Sequence, residues 1–342
     1  MALFDFNITQ FSKDEKYASA VANVRALEKN LLTSHKLTRM AERESWQGVL
    51  DELRSTDYFE TLVKVDSPAS LKVSLTETML KRHQMLYDLN IGQKFVEAIL
   101  LRNDLNNLKT YLKIKWSSSN RKATYSQLGM LDFQSFINAV EQNKPLPESL
   151  KLIYEKVTDD FQQFRKLYRL ELLIEKFYLE KIKQVFDESR ILYLQRFITF
   201  RIDLANLMAV LRWKGWQPEN ISDVNLLPAG GTLDIDFLTS IFKESAESLV
   251  DKLQFTYYGN YLNDGLEYYK STGELWLLEK SADDFLSEFC KLTQYTSFGV
   301  EPLIAYLWIS KQEMKNIQTI LTGKYTGLPA DLIKSRLRNE YE

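Results

Sequence analysis

Few side chains in this sequence have the chemistry for catalysis or metal binding. They are two histidines, His35 and His83, one thiol, Cys290, and the adjacent carboxylates Asp159-Asp160 and Asp283-Asp284. A zinc site needs several nitrogen, sulfur or carboxylate ligands brought together, and no cysteine stands near either histidine. Both histidines therefore read as helix-face or surface residues. General acid–base work needs a titrating group within reach of a reacting atom. The paired acids read instead as residues at helix starts, in a chain whose lysines are as plentiful as its carboxylates. The cysteine reads as a small buried core thiol, and alone it excludes an internal disulfide. Gly323-Lys324 lacks the glycine loop that cradles phosphate, and no G-x-G-x-x-G, G-x-S-x-G or H-E-x-x-H occurs. No catalytic residue, cofactor site or metal site is expected, and the chain reads as non-enzymatic.

The polar residues that do recur belong to a triplicated segment. RNDLNNLKTYLKIK begins at Arg102, RIDLANLMAVLRWK at Arg201 and KQEMKNIQTILTGK at Lys311, so the copies start 99 and then 110 residues apart. Each opens on a base (Arg102, Arg201, Lys311), has an acid two positions on (Asp104, Asp203, Glu313) and an asparagine three after that (Asn107, Asn206, Asn316). The apolar residues between them, Leu105, Leu108 and Leu112 with their counterparts, fall at i, i+3 and i+7, so each copy is a helix. Leu108, Leu207 and Ile317 lie mid-stripe and should be buried. Acid and asparagine three apart are neighbours on one helix surface. They read first as satisfied polar contacts where neighbouring helices cross, and second as direct partner contacts.

Composition fits helices. The 342 residues include only 12 glycines and 7 prolines, and 12 is about half the usual ~7% of a globular chain. Strand-rich and doubly wound folds need more turn residues than that. With 44 basic against 46 acidic residues nothing calls for nucleic acid. The N-terminus lacks the basic start and long apolar run of a signal peptide. The longest strongly apolar run, near Leu303–Ile309, is far short of the roughly 20 residues that span a bilayer. Membrane association, if any, goes through a partner or a surface.

A second element repeats with the helix. Gly129-Met130-Leu131-Asp132 and Gly231-Thr232-Leu233-Asp234 each precede an amphipathic segment, with Asp placed as a helix N-cap. Ser45-Trp46 is the candidate equivalent in the first unit. Borders drawn before these motifs give units 1–127, 128–230 and 231–342, with Ser117–Ser126 and Gln217–Gly231 as connecting stretches. Each copy of the helix also ends on a lysine beside an aromatic: Lys115 with Trp116, Lys214 between Trp213 and Trp216, Lys324 with Tyr325. Loops on a rigid scaffold tend to carry binding residues, and Trp and Tyr are favoured interface anchors. These seven residues are the candidate partner contacts.

At this point the residues resemble a family. The stretch Tyr17–Leu32, with its Arg25-Ala26-Leu27-Glu28 and closing Leu31-Leu32, resembles the opening of the C subunit of A- and V-type ATPases, called the d subunit in eukaryotes. Gly299-Val300-Glu301-Pro302 through Lys324, and the terminal LPADLIKSRLRNEY, resemble its ending, and the triplicated helix its internal signature. One departure is that the third copy carries Lys311 and Glu313 where the others have Arg and Asp. A second is that the second copy has Ile202 and Ala205 where the first has Asn103 and Asn106. These weigh against any role needing three identical sites. The resemblance implies an all-α funnel of three similar domains around a pseudo-threefold axis, without an active site, cofactor or small-molecule substrate. It implies a peripheral seat on the cytoplasmic face of the membrane proteolipid ring. The funnel's mouth would receive the central shaft, formed by the D and F subunits, so that rotation passes between the ATP-hydrolysing head and the ion-translocating ring. The competing reading is a generic helical-repeat adaptor, whose repeats would run about 34–47 residues, against units near one hundred here.

Overall fold

The computed structural model describes residues 10–62, 65–89, 91–117, 125–216, 221–244, 246–254 and 256–341. Among them there are helices and turns and no strand, so the chain is all-α. In chain order the helices are α1 (Ala18–Glu28), α2 (Ser34–Glu42), α3 (Trp46–Leu53), α4 (Phe59–Leu62), α5 (Pro68–Asp88), α6 (Gln93–Ser117), α7 (Phe133–Glu141) and α8 (Glu148–Phe164). They continue as α9 (Leu167–Ser189), α10 (Leu192–Trp216), α11 (Ile235–Lys243), α12 (Ala246–Gln254), α13 (Gly259–Thr272), α14 (Trp276–Lys291), α15 (Glu301–Tyr325) and α16 (Ala330–Ser335). The three copies of the repeated segment fall in α6, α10 and α15, each 25 residues long.

Helix ends follow local chemistry. Thr33, Ser45 and Asp132 cap α2, α3 and α7 by accepting a backbone N–H of the first turn. Ser67 and Ser70 form a reciprocal capping box ahead of α5, with Pro68 in the first turn. Arg165 and Arg190 end α8 and α9 in the left-handed conformation. The paired acids correct their sequence reading: Asp159-Asp160 lie inside α8 and Asp283-Asp284 inside α14, not at helix starts. The sides of these helices hold neighbouring cations. Asp160 takes Arg169 at 2.7 Å, and Asp283 takes Lys315 at 2.8 Å and Arg338 at 3.1 Å.

The chain divides into two compact units. One comprises Met1–Ile91, Ile191–Tyr193 and Lys243–Glu342, the other Gly92–Arg190 and Leu194–Phe242. The repeat borders 127/128 and 230/231 both fall inside the second unit.

In the first unit α15 is the central element. Every residue from Glu301 to Ser310 is buried, as expected of a helix apolar on all sides and enclosed by protein. The apolar run Leu303–Ile309 is thus a core segment. Further along, Met314, Ile317, Ile320 and Leu321 join a core with Leu37 and Met40 of α2, Val49 and Leu53 of α3, Tyr58, Leu71 of α5 and Ile333 of α16. This unit also holds a turn that occurs twice. Leu53-x-x-Thr56-x-Tyr58-x-x-x-Leu62 recurs as Leu253-x-x-Thr256-x-Tyr258-x-x-x-Leu262. In each, the threonine hydroxyl donates to the leucine carbonyl and accepts from the tyrosine N–H, and the tyrosine is fully buried.

In the second unit α9 packs against both α6 and α8. Arg169 joins Asp160 of α8 to Asp223 of the 3-10 turn Ile221–Leu226, and the Tyr168 hydroxyl donates to the same Asp223. Lys176 donates to the carbonyls of Asn225 and Leu227 at 3.1 Å. The described part of the connection after α10 is therefore held down by α9. Residues 118–124 and 217–220 of the two connecting stretches lie outside the described residues.

Candidate assembly site

The acid of each repeated helix grips backbone. Asp104, fully buried, accepts from the N–H of Met130 (3.1 Å) and Leu131 (3.3 Å). Asp203, also fully buried, accepts from the N–H of Thr232 and Leu233, both at 2.9 Å, and from the Thr232 hydroxyl at 2.6 Å. The glycine of each Gly-x-Leu-Asp motif makes this approach feasible. A Cβ on Gly129 would stand 1.8 Å from Asp104 Oδ1, and one on Gly231 would stand 2.0 Å from Asp203 Oδ1. The asparagines hold the chain just upstream. Asn107 donates to the Ser126 carbonyl and accepts its N–H, both at 2.8 Å, and Asn206 donates to the Pro228 carbonyl at 3.0 Å. The repeated polar pair thus clamps a loop and sets the start of the next helix, α7 or α11. It does not mark a crossing of two helices.

The third copy clamps a distant segment. Glu313 Oε1 accepts the Leu32 N–H at 2.8 Å, and Oε2 accepts from the Tyr58 hydroxyl (2.8 Å) and from Arg82 (3.2 Å). Leu32-Thr33 precedes α2, and α2, α7 and α11 are each nine residues long. The first-unit equivalent of Leu131-Asp132 is therefore Leu32-Thr33 rather than Ser45-Trp46. Ser45 caps a helix, as expected, but α3 is the second helix after Leu32-Thr33, not the first. Asn316 keeps the asparagine role on the C-terminal segment, donating to the Arg338 carbonyl at 3.0 Å and accepting its N–H at 2.8 Å.

Burial raises the carboxyl pKa of both Asp104 and Glu313. The N–H groups of Met130 and Leu131 pull Asp104 down, and Arg82, Leu32 and Tyr58 pull Glu313 down, without cancelling the effect. Burial and the Glu313 charge hold the Tyr58 hydroxyl far above its ordinary value. The Arg82 guanidinium is opposed by burial, yet Tyr58 and Glu313 raise it, and it also lies 5.0 Å over the Tyr58 ring. The repeated bases have other work. Arg102 pairs with Glu175, and Arg102 and Arg201 stand over the Tyr178 ring at 4.8 and 5.1 Å. Lys311 stands 5.5 Å from the Trp308 ring. Sequence reading passes over Leu32, Tyr58 and Arg82. The doubled Leu-x-x-Thr-x-Tyr turn is a usable signal for Tyr58, whereas Arg82 shows none.

The candidate partner contacts lie at helix ends in different settings. Trp116 is half-buried and stacks on Phe161 (centroids 3.9 Å apart, planes 5° apart), while Lys115 is exposed beside the Tyr111 ring. Trp213 is half-buried, and Lys214 donates to the Ile241 carbonyl at 3.0 Å. Tyr325 is 56% exposed with an edge contact to Trp46, and Lys324 is half-buried. The side chain of Trp216 lies outside the described residues. Lys324 and Tyr325 belong to the first unit and the other five to the second.

Among the described residues no cluster of His, Cys, Asp and Glu could hold a metal ion. Cys290 is fully buried. His35 is exposed, and burial lowers the His83 pKa to about 4. No helix among the described residues is long and apolar enough to cross a membrane.

Comparison with known proteins covers nearly the whole chain. The C subunit of the A-type ATP synthase of Methanocaldococcus jannaschii is 24% identical over 94% of this chain and 86% of its own length. Its namesake from Thermococcus kodakarensis is 25% identical over 93% and 89%. The C subunit of the V-type sodium ATPase of Enterococcus hirae is 22% identical over 93% and 97%. The model of the ATP synthase (C/AC39) subunit family matches residues 20–336, so the chain belongs to that family.

Proposed function

We propose that the chain is the non-catalytic central-stalk subunit of an A/V-type rotary ATPase, coupling the shaft formed by the D and F subunits to the membrane proteolipid ring. The observation that carries this reading is the family match over residues 20–336, which leaves little of the chain for another activity. The three clamps support it. A coupling that passes torque must be stiff, and buried carboxylates holding loop backbone stiffen the joints between helices. In this reading units 1–127, 128–230 and 231–342 are the three domains of a funnel around a pseudo-threefold axis. The funnel sits peripherally on the cytoplasmic face of the ring. The ends of the repeated helices, with Lys115, Trp116, Trp213, Lys214, Trp216, Lys324 and Tyr325, carry partner contacts. A generic helical-repeat adaptor is disfavoured by the same full-length match.

The test is co-purification of the tagged chain with the shaft and the proteolipid ring, repeated with Trp116→Ala and Tyr325→Ala. The expected result is recovery of both partners by the wild type and weaker recovery by the variants with folding retained. Recovery of neither partner overturns the proposal. Full recovery by both variants moves the contact surface away from these helix ends.

A further inference from the structure

Where α14, α15 and α16 meet in the first unit there is an open cavity of about 460 Å³, within the usual size range of small-ligand sites, about 300–1,000 Å³. One wall is a single face of α15: Lys315, Gln318, Thr319 and Thr322, at i, i+3, i+4 and i+7. The segment after α16 contributes Arg336 and Arg338, and α14 contributes Trp276 and Glu279. Three cations thus face a cavity lined by one carboxylate, Glu279.

The charges are only partly compensated. Lys315 and Arg338 share one acid, Asp283, at 2.8 and 3.1 Å. Arg336 makes no ion pair among the described residues; its guanidinium lies 5.3 Å over the Trp276 ring, and its Nε is buried with no hydrogen-bond acceptor. A buried guanidinium N–H without an acceptor is costly, and such groups call for an explanation. The side chains of Gln318, Thr319 and Thr322 make no hydrogen bond to any described residue. The cavity therefore presents unspent donors of two kinds, charged and neutral, from two elements.

We propose that this cavity binds a phosphate-class oxyanion. A tetrahedral anion with several acceptor oxygens matches guanidinium, ammonium and hydroxyl donors converging from different sides. A nucleobase is not part of the ligand. Arg336 already stands over the Trp276 ring, and Tyr268 makes an edge contact with it at 5.2 Å, so the one aromatic lining the cavity is already engaged. The ligand is inorganic phosphate or the phosphate headgroup of a lipid. This inference is independent of the contacts proposed for the shaft and ring.

The test uses the full-length chain in two arms. Calorimetric titration with inorganic phosphate reads the free ion. Co-sedimentation with phosphatidylcholine vesicles, with and without phosphatidic acid, reads the headgroup. Binding in the first arm alone identifies the free ion as the ligand, and preference for phosphatidic acid alone identifies the headgroup. In whichever arm responds, Arg336→Gln should weaken binding about tenfold or more. Arg336→Lys should also weaken it, because the ammonium keeps the charge but not the Nε donor. Lys315→Gln is a second, independent variant with the same expected direction. Lys334→Gln removes a neighbouring surface charge outside the cavity and should bind within about twofold of wild type. No response in either arm, or undiminished binding by Arg336→Gln and Lys315→Gln, overturns the proposal.

Discussion

In the second unit the acid of the repeated helix is an aspartate, and the loops it closes lie 26 to 30 residues ahead. In the first unit it is a glutamate, and the residue it holds, Leu32, lies 281 residues away. The partners differ accordingly. Asp104 and Asp203 accept donors from the clamped loop, whereas Glu313 accepts from the Leu32 N–H and also from the Tyr58 hydroxyl and the Arg82 guanidinium. Loop-closure entropy grows slowly with length, so a tenfold longer loop adds only roughly 2 kcal/mol to the cost of closure. One further charge-assisted bond and one hydroxyl bond are enough to offset that. The same register on three helices is thus used in two ways. Two clamps are local and set the start of the next helix. One is long-range and ties the N-terminal helices to the C-terminal core.

The largest expected effect follows from Arg82, whose side chain is only 10% exposed and which forms an ion pair with Glu313. Replacing one member of a buried pair leaves the other charged and unpaired, so Glu313→Ala should cost about 3–5 kcal/mol in urea denaturation. Asp104→Ala leaves only backbone N–H groups without acceptors and should cost roughly 1–3 kcal/mol. Equal losses in the two variants would remove the distinction between local and long-range clamps.

The middle-sized effect tests whether the glycine serves the clamp. A Cβ on Gly129 would occupy the place of the Asp104 carboxylate. Gly129→Ala should therefore displace the acid and cost about 1–3 kcal/mol. Most of that loss should disappear when Asp104 is already alanine, since nothing remains to be displaced. Additive losses in the double variant would locate the strain in the backbone at Gly129 instead. The first unit has no glycine in Leu31-Leu32-Thr33, and the longer glutamate reaches its N–H without one.

Some of this is legible in the sequence because spacing encodes it. The 99- and 110-residue intervals, the i, i+3, i+7 leucines and the Gly-x-Leu-Asp motif together locate three helices and two of the clamped loops. The mid-stripe residues Leu108, Leu207 and Ile317 are fully buried, as the periodicity requires. The purpose of the acid is not legible. A buried aspartate on a helix looks the same whether it meets another helix or a backbone N–H, and only the fold brings Met130 to Asp104. The third clamp is hidden further, because Leu32-Thr33 lacks the glycine that marks the other two. Ser45-Trp46 offers a better local cap signal nearby. Arg82 carries no mark at all: an arginine in the helical sequence of α5 reads as solvent-facing until α15 is packed against it.

The smallest expected effect is a pH dependence, and its sign follows from burial. Asp104 and Glu313 both have carboxyl pKa values raised in the folded state, burial being the first cause in each. A group raised on folding binds its proton more tightly in the folded chain. Its contribution to stability is therefore fully present below the unfolded pKa, near ~4, and is lost as pH rises through the folded value. Acidification from neutral pH should thus favour the folded state through these two groups. That is the reverse of Glu42 and Glu60, which Lys334 and Lys81 hold below the usual range. The test compares wild type with Asp104→Asn and Glu313→Gln by urea denaturation at about pH 7 and about pH 5. Wild type should gain stability relative to each variant on going to the lower pH. In Glu313→Gln that gain should ride on a constant offset, because Arg82 loses its ionised partner at both pH values. A loss relative to both variants at the lower pH would mean that the N–H donors and Arg82 outweigh burial, and that the clamps work as ordinary ion-paired carboxylates.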